Sequence, residues 1–205
     1  MNNIYAVILA GGLSSRIGGG VKSLIKFNDK IIIDRILENL NNQVQSIIIN
    51  ANKKINIFDK YEVNIIQDSI KGYLGPLAGI HASLEWIYLN QKNIDWLVTV
   101  PGDTPFIPTN LVEKLLNKAI NFNHKIVLAK SSGKVHPVIG IWHLSLLKSL
   151  SVDLKSGTRK ILDWANKHSL GFEEFVNTDY DPFFNINYKE DILKAEKIEN
   201  KYYIY

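Results

Sequence analysis

The chain has 205 residues, 46% of them hydrophobic, which fits one domain with a sizeable core and excludes global disorder. Lys and Arg number 24 and Asp and Glu 20, a net charge of +4 that suits an anionic ligand, but no arginine-rich block or aromatic–basic interleaving marks a nucleic-acid binder. No cysteine is present, so disulfides, cysteine nucleophiles and thiolate metal sites are excluded, and any metal must take oxygen or imidazole ligands.

Met1-Asn-Asn-Ile-Tyr lacks the basic start of a secretory signal. The apolar runs fall well short of the ~20 residues that cross a bilayer. The expectation is a cytoplasmic protein with no membrane contact. Ile4–Leu9 is a short apolar run ahead of Gly11 and reads as a buried strand. Ser46–Asn50, Val63–Ile66, Trp96–Val100, Ile126–Ala129 and Val138–Trp142 repeat the pattern. Such runs without alternation belong to sheets covered on both faces. Helical patterns lie between them: Ile33, Ile36, Leu37 and Leu40 share one face, and Leu77, Ile80, Leu84 and Ile87 another. Leu111, Leu115 and Ala119 make a third, with Asn110 and Glu113 as its capping pair. Lys130–Pro137 is polar and turn-rich. Ser145–Leu150, Lys160–Lys167 and Lys189–Ile198 read as further helices. Strands alternating with helices predict a three-layer α/β/α fold with a mostly parallel central sheet. No repeat or linker interrupts residues 1–205, which are expected to form a single domain.

Leu9–Lys22 follows the first strand directly. It packs five glycines, two serines, Arg16 and Lys22 into fourteen residues. Glycine lets backbone N–H groups approach and point at phosphate oxygens, and the two cations add charge. A Walker loop needs Gly-Lys-Ser/Thr, whereas Gly20-Val21-Lys22-Ser23 is one residue out of step. The dinucleotide fingerprint G-x-G-x-x-G is also missing. A long surface loop is the bland alternative, but a connection this rich in glycine and cation is usually functional.

Trp96–Val100 runs into Pro101-Gly-Asp-Thr-Pro-Phe106. The bracketing prolines restrict the turn and fix Asp103 at the sheet edge that carries the glycine loop. A carboxylate there either holds magnesium against phosphate oxygens or forms an Asx turn.

Together these segments resemble the molybdenum cofactor guanylyltransferases, within the GT-A/Rossmann-like nucleotidyltransferases. Leu9–Gly19 matches the family's Leu-Ala-Gly-Gly-x-x-x-Arg-x-Gly-Gly loop. Ile49-Asn-Ala-Asn52, Asp68-Ser69, Gly75-Pro-Leu-Ala-Gly-Ile80, Pro101-Gly-Asp-Thr-Pro-Phe106, His136-Pro137 and Asn185-Ile-Asn187 match later motifs in order. The resemblance implies transfer of GMP from GTP to the molybdopterin cofactor, with Mg2+. It implies backbone contacts to nucleotide at Leu9, Ala10, Gly11 and Gly12, phosphate held by Lys22, guanosine contacts from Asn50 and Asp68, Gly79 as a further binding position, and Lys22, Asp103 and Arg16 as the catalytic residues. Asp103 would bind GTP and the metal, while His136, Asn185 and Asn187 fall in the acceptor and metal region. Transient contact with molybdoenzymes or delivery proteins, and a monomeric state, complete the expectation. Two positions depart from the pattern: Val21 replaces the usual Asp before Lys22, and Gly102 the usual Cys before Asp103.

The implied chemistry is in-line attack by the acceptor's phosphate on the α-phosphorus of GTP. It needs positioning and charge neutralisation rather than a side-chain nucleophile. His136 either donates to the acceptor or is structural. Arg159 and Lys160 either bind the acceptor or begin a solvated helix, and Asn187 either touches ligand or caps the last helix with Glu190. A cytidylyl or sugar-phosphate transferase of the same fold, and a non-catalytic nucleotide-binding or cofactor-delivery protein, stand as the alternatives.

Overall fold

A computed structural model describes residues 3–11, 21–53, 55–70, 72, 75–176 and 179–202. The first strand, β1 (Ile4–Leu9), is followed by a 3-10 turn at Lys22–Leu24 and a small hairpin of β2 (Lys26–Phe27) and β3 (Lys30–Ile31). Then come α1 (Ile32–Asn41), β4 (Ser46–Asn50), β5 (Asn64–Ile66), α2 (Pro76–Asn90), β6 (Trp96–Pro101) and α3 (Leu111–Asn121). The rest is β7 (Ile126–Ser131), β8 (Lys134–His143), α4 (Leu147–Lys155), α5 (Ile161–Ala165), β9 (Leu170–Glu174) and α6 (Lys189–Tyr202).

Seven strands form one sheet in the order β5-β4-β1-β6-β8-β7-β9, in which β8 alone runs antiparallel to its neighbours. The strands alternate between two cores. Ile4, Ala6 and Ile8 face one packed by α1, α3 and α6, and Tyr5 and Val7 face another packed by α2, α4 and α5. This is the three-layer α/β/α arrangement with a mostly parallel sheet that the sequence predicts. The eight residues Leu77–Leu84 are all buried, as expected of a helix covered by the sheet on one side and by α4 on the other.

Several details differ from the sequence reading, which did not predict the small β2–β3 hairpin. The polar stretch Lys130–Pro137 is the tip of a hairpin, so β8 starts at Lys134. Ser132 (φ 47°) and Gly133 (φ 75°) form the two-residue left-handed turn that suits the strand twist. Asn110 makes no side-chain cap on α3. The Val112 amide instead donates to the Oε1 of buried Gln43 at 3.0 Å, and Gln43 Nε2 donates to the Asn39 and Pro108 carbonyls, so the cap comes from a residue 69 positions away. The edge strand β9 was not predicted, because Leu170-Gly-Phe-Glu-Glu174 is short and carries exposed polar residues. At the C-terminus, the Glu199 carboxylate accepts from buried Arg35 Nη2 at 2.6 Å and Nε at 2.8 Å, fastening α6 across α1. Arg35 also covers the Phe27 ring at 3.8 Å.

Candidate active site

The chain leaves β1 for β4 and β5 on one side, while β6 pairs on the other. The carboxyl ends of β1 and β6 therefore diverge at a topological switch point, where open α/β sheets bind ligands. Three strand ends are locked side by side there. The Ala10 amide donates to the Asn50 carbonyl at 2.9 Å, and the Gly102 amide donates to the Leu9 carbonyl at 3.1 Å. A Cβ on Gly102 would lie 3.2 Å from both Ala10 Cα and Ser23 Cβ. The glycine thus lets the Lys22–Leu24 turn close against the end of β6.

That closure brings Lys22 to Asp103. The ammonium lies 3.1 Å from Asp103 Oδ2 and donates to Asn187 Oδ1 at 2.5 Å, linking residues 81 and 165 positions apart. Both partners are half-buried, in a position from which an ammonium can swing to phosphate. Asn187 is held from behind: Asp191 Oδ2 accepts from the Asn187 and Tyr188 amides, each at 3.0 Å. The acid that caps α6 is therefore Asp191, not Glu190, which leaves the Asn187 side chain for the site. Asp103 is anchored similarly, its carbonyl accepting from the Ile186 amide at 2.9 Å. A carboxylate and an amide oxygen that already close on one cation are a hard oxygen pair, and such a pair suits magnesium completed by phosphate oxygens and water. Among the described residues no group of three or more His, Asp or Glu forms a metal site by itself.

Two cavities open from this junction. The first, about 330 Å³, is lined by Leu9, Gly11, Asn50, Asn52, Asp68 and Pro76, among others. Asp68 accepts from Asn50 Nδ2 at 3.1 Å and from Asn52 Nδ2 at 2.7 Å, and its own amide donates back to Asn52 Oδ1 at 2.8 Å. Gly79 permits this geometry, since a Cβ there would sit 2.5 Å from Asn50 Oδ1 and 2.8 Å from Leu9 Cδ2. Beneath it, buried His81 on α2 pairs through Nδ1 with Ser69 Oγ at 3.2 Å, and burial pushes the imidazole below the usual histidine range.

The second cavity, about 520 Å³, runs from Pro101 and Asp103 along β8 to His136, Asp181, Phe183 and Asn185. It exists because β8 bulges. Leu128 pairs with Gly140 but Ala129 pairs with His136, so residues 137–139 fall out of the ladder with β7. Pro137, which lacks an N–H, is at home there. Buried Thr99 holds the bulge, donating to the Val138 carbonyl at 2.6 Å while accepting the Trp142 indole N–H at 3.0 Å. Pro101 and Val138 line both cavities, so the two form adjoining halves of one cleft around Asp103 and Lys22.

Of the residues singled out from sequence, Leu9, Ala10, Gly11, Lys22, Asn50, Asp68, Gly79, Asp103, His136, Asn185 and Asn187 all contribute to this cleft or support it. Gly12 and Arg16 lie outside the described residues. The Leu9 carbonyl and Ala10 amide are spent on neighbouring strands. Arg159 does not reach the cleft. Its Nη1 donates to the Leu154 and Thr158 carbonyls at the end of α4, and Lys160 pairs with Asp163 on the surface. Sequence reasoning missed Asn52, Ser131 and Asp181. Only Asn52 had a signal, its place in the Asn-Ala-Asn motif.

A model of the MobA-like NTP transferase domain matches residues 6–170. The chain belongs to that family. It is 36% identical over 193 residues to a molybdenum cofactor guanylyltransferase of Nitrobacter hamburgensis, a match that covers 94% of this chain and 92% of the relative. The structure resembles molybdopterin-guanine dinucleotide biosynthesis protein A from Archaeoglobus fulgidus, with a TM-score of 0.78 and 25% identity over 96% of this chain and 99% of that one. It shares its fold, at a TM-score of 0.71 and 15% identity, with 4-diphosphocytidyl-2C-methyl-D-erythritol synthase from Anaerococcus prevotii, covering 97% of this chain and 96% of that one. The family match takes in β1 through the start of β9. It ends before Asn185 and Asn187, which the stretch ahead of α6 carries to the site. No helix among the described residues is long and apolar enough to cross a membrane.

Proposed function

We infer that this protein transfers GMP from GTP to the phosphate of the molybdopterin cofactor, forming the guanine dinucleotide and releasing pyrophosphate. The observation that carries the reading is the junction of the two cavities, where Asp103 and Asn187 close on the Lys22 ammonium. Relatives over nearly the whole chain are molybdenum cofactor guanylyltransferases. GTP occupies the Asn50–Asp68 half with its triphosphate toward Lys22, and the acceptor occupies the His136–Asn185 half.

An acceptor phosphate oxygen attacks the α-phosphorus in line. The new O–P bond forms as the bond to the pyrophosphate oxygen breaks. The nucleophile is already anionic, so no side chain need be acylated, phosphorylated or deprotonated. Magnesium held by Asp103 and Asn187 would supply charge neutralisation to the triphosphate. Lys22 exchanges Asp103 and Asn187 for phosphate oxygens and offsets charge on the departing pyrophosphate. Asn50, Asn52 and Asp68 fix the guanosine, and the wall of Pro101 and Val138 separates it from the acceptor. Val21 is buried and contributes packing rather than a second carboxylate beside Lys22.

The test incubates the purified protein with magnesium, molybdopterin cofactor and each of GTP, CTP, ATP and UTP, and follows pyrophosphate and dinucleotide. Product with GTP alone, reduced by about a thousandfold in Asp103→Ala, is expected. Product with CTP alone would keep the mechanism and change the nucleotide. GTP binding without product would replace the enzyme with a binding protein.

A further inference from the structure

The acceptor half of the cleft contains a hydrogen-bonded chain that guanylyl transfer does not by itself require. Ser131, at the end of β7, is 1% exposed. Its Oγ lies 2.6 Å from His136 Nε2 and donates to Asp181 Oδ1 at 2.8 Å. The same Asp181 oxygen accepts from the Phe183 amide at 2.9 Å, which fixes the carboxylate. A hydroxyl has a single proton, and a carboxylate only accepts. The Ser131 proton therefore goes to Asp181, and the Ser131 oxygen must accept from the imidazole. That puts the proton of a neutral His136 on Nε2 and leaves Nδ1 as a lone pair. Burial, acting against the pull of Asp181, holds His136 below the usual histidine range and keeps the ring neutral near pH 7. No hydrogen bond engages Nδ1 among the described residues, and the ring packs on Phe183 at 4.9 Å in the cavity wall.

We propose that Ser131 and Asp181 are positioning residues that fix His136 with its proton on Nε2, so that Nδ1 accepts a hydrogen bond from an N–H group on the heterocycle of the acceptor. This rests on the reading of the second cavity as the acceptor half. The acceptor's phosphate must lie at Lys22 and Asp103 to reach the α-phosphorus. A neutral ring whose Nδ1 is a lone pair offers phosphate oxygens no proton, so what His136 takes there is a donor. Pro137, Phe183 and Phe184 give that part of the cavity apolar and aromatic walls that accept a flat ring. The tautomer matters because a pterin edge offers N–H groups that cannot accept. Were the proton on Nδ1, donor would face donor, leaving a desolvated polar group unpaired. A sugar hydroxyl donates or accepts and would tolerate either form, so a fixed tautomer is a requirement of a heterocycle N–H and not of a sugar phosphate.

The tautomer is read directly from side-chain 1H–15N correlations in the 15N-labelled protein, with His136 assigned by the signal lost in His136→Gln. The expected wild-type form carries the proton on Nε2. Ser131→Ala should give a mixture of tautomers, and Ser131→Thr should restore the single form. Adding molybdopterin cofactor without nucleotide should shift the Nδ1 signal of the wild type. In turnover, Ser131→Ala should raise the acceptor KM about tenfold, the cost of roughly one hydrogen bond, with kcat and the GTP KM unchanged. A proton on Nδ1 in the wild type, a tautomer unaffected by Ser131→Ala, or no acceptor-induced shift overturns the proposal. So does a parallel rise in both KM values, which would mean a collapsed cavity. Absence of any guanylyl product counts against the functional reading alone, because the tautomer and the acceptor-induced shift are measured without turnover.

Discussion

The two halves of the cleft are built by different means. The nucleotide half stands on the ends of parallel strands β1, β4 and β5. Its groups come from short contiguous motifs, such as Asn50 to Asn52 at the end of β4 and Asp68 just past β5. The acceptor half is carried by the antiparallel strand β8, by its bulge, and by the irregular stretch before α6. Its positioning contact joins residues far apart, Ser131 with Asp181. A parallel strand end presents backbone in a fixed direction, so one half is specified locally. The other depends on how distant segments dock, and a change there propagates further.

The largest selective effect is expected from Gly79→Ala. The added methyl would fall 2.5 Å from Asn50 Oδ1 and 2.8 Å from Leu9 Cδ2. Asn50 is held by Asp68 and cannot simply turn away. The GTP KM should rise about tenfold, the loss of roughly one ordered hydrogen bond, while the acceptor KM stays unchanged. Alanine favours helix over glycine by about 1 kcal/mol, which offsets part of an overpacking cost of about 1–3 kcal/mol, so the melting temperature should fall modestly. Steady-state kinetics with each substrate varied in turn checks this. A rise in the acceptor KM of the same size would show that the halves are not separable.

The same division explains what was legible in the sequence. Strands and helices facing the two cores showed as unbroken apolar runs or helical stripes, because each is buried by neighbours on both sides of the sheet. Asp103 was legible because it follows an apolar strand directly between two prolines, whereas Asn50 and Asp68 were marked by the family resemblance. The Gln43 cap of α3, the Asp191 cap of α6 and the Ser131–Asp181 contact were not legible. Each is a side chain reaching backbone or hydroxyl across tertiary space, or one of several acids in the same turn, and no spacing rule picks it out. β9 was missed because an edge strand needs only half the apolar residues of a central one.

Acid should weaken the fold in both halves. Burial lowers His81 under the nucleotide cavity and His136 in the acceptor cavity, and it also lowers His143 and His168. In the unfolded chain these groups take up protons near pH 6.5. The folded protein resists until lower pH, so the unfolded state binds more protons in that window. Stability is therefore complete above about pH 6.5 and falls as pH drops through the window. Thermal melts at pH 7.5 and 5.5 should show a lower midpoint at pH 5.5, and His81→Gln should reduce the difference. A midpoint independent of pH would mean that the buried imidazoles charge as freely as in the unfolded chain.

The smallest expected effect lies at the junction, in Gly102→Cys, which restores the residue usual in the family. Its Cβ would meet Ala10 Cα and Ser23 Cβ at 3.2 Å and the Leu9 carbonyl at 3.3 Å. Ala10 and Leu9 are fixed by the ladder, whereas Ser23 belongs to the short turn that carries Lys22. The turn must give by a few tenths of an ångström, taking the Lys22 ammonium with it. The expected result is a twofold to threefold loss in kcat, roughly 0.5 kcal/mol in the barrier, and a stability change within about 1 kcal/mol. Neither KM should move selectively, because Lys22 serves both halves from their shared edge. A change confined to one KM would place the Lys22 turn in that half and shift the boundary between them. Val21, the other departure from the family pattern, begins the same turn. Its buried side chain leaves the turn anchored by packing, where a carboxylate would have anchored it by charge.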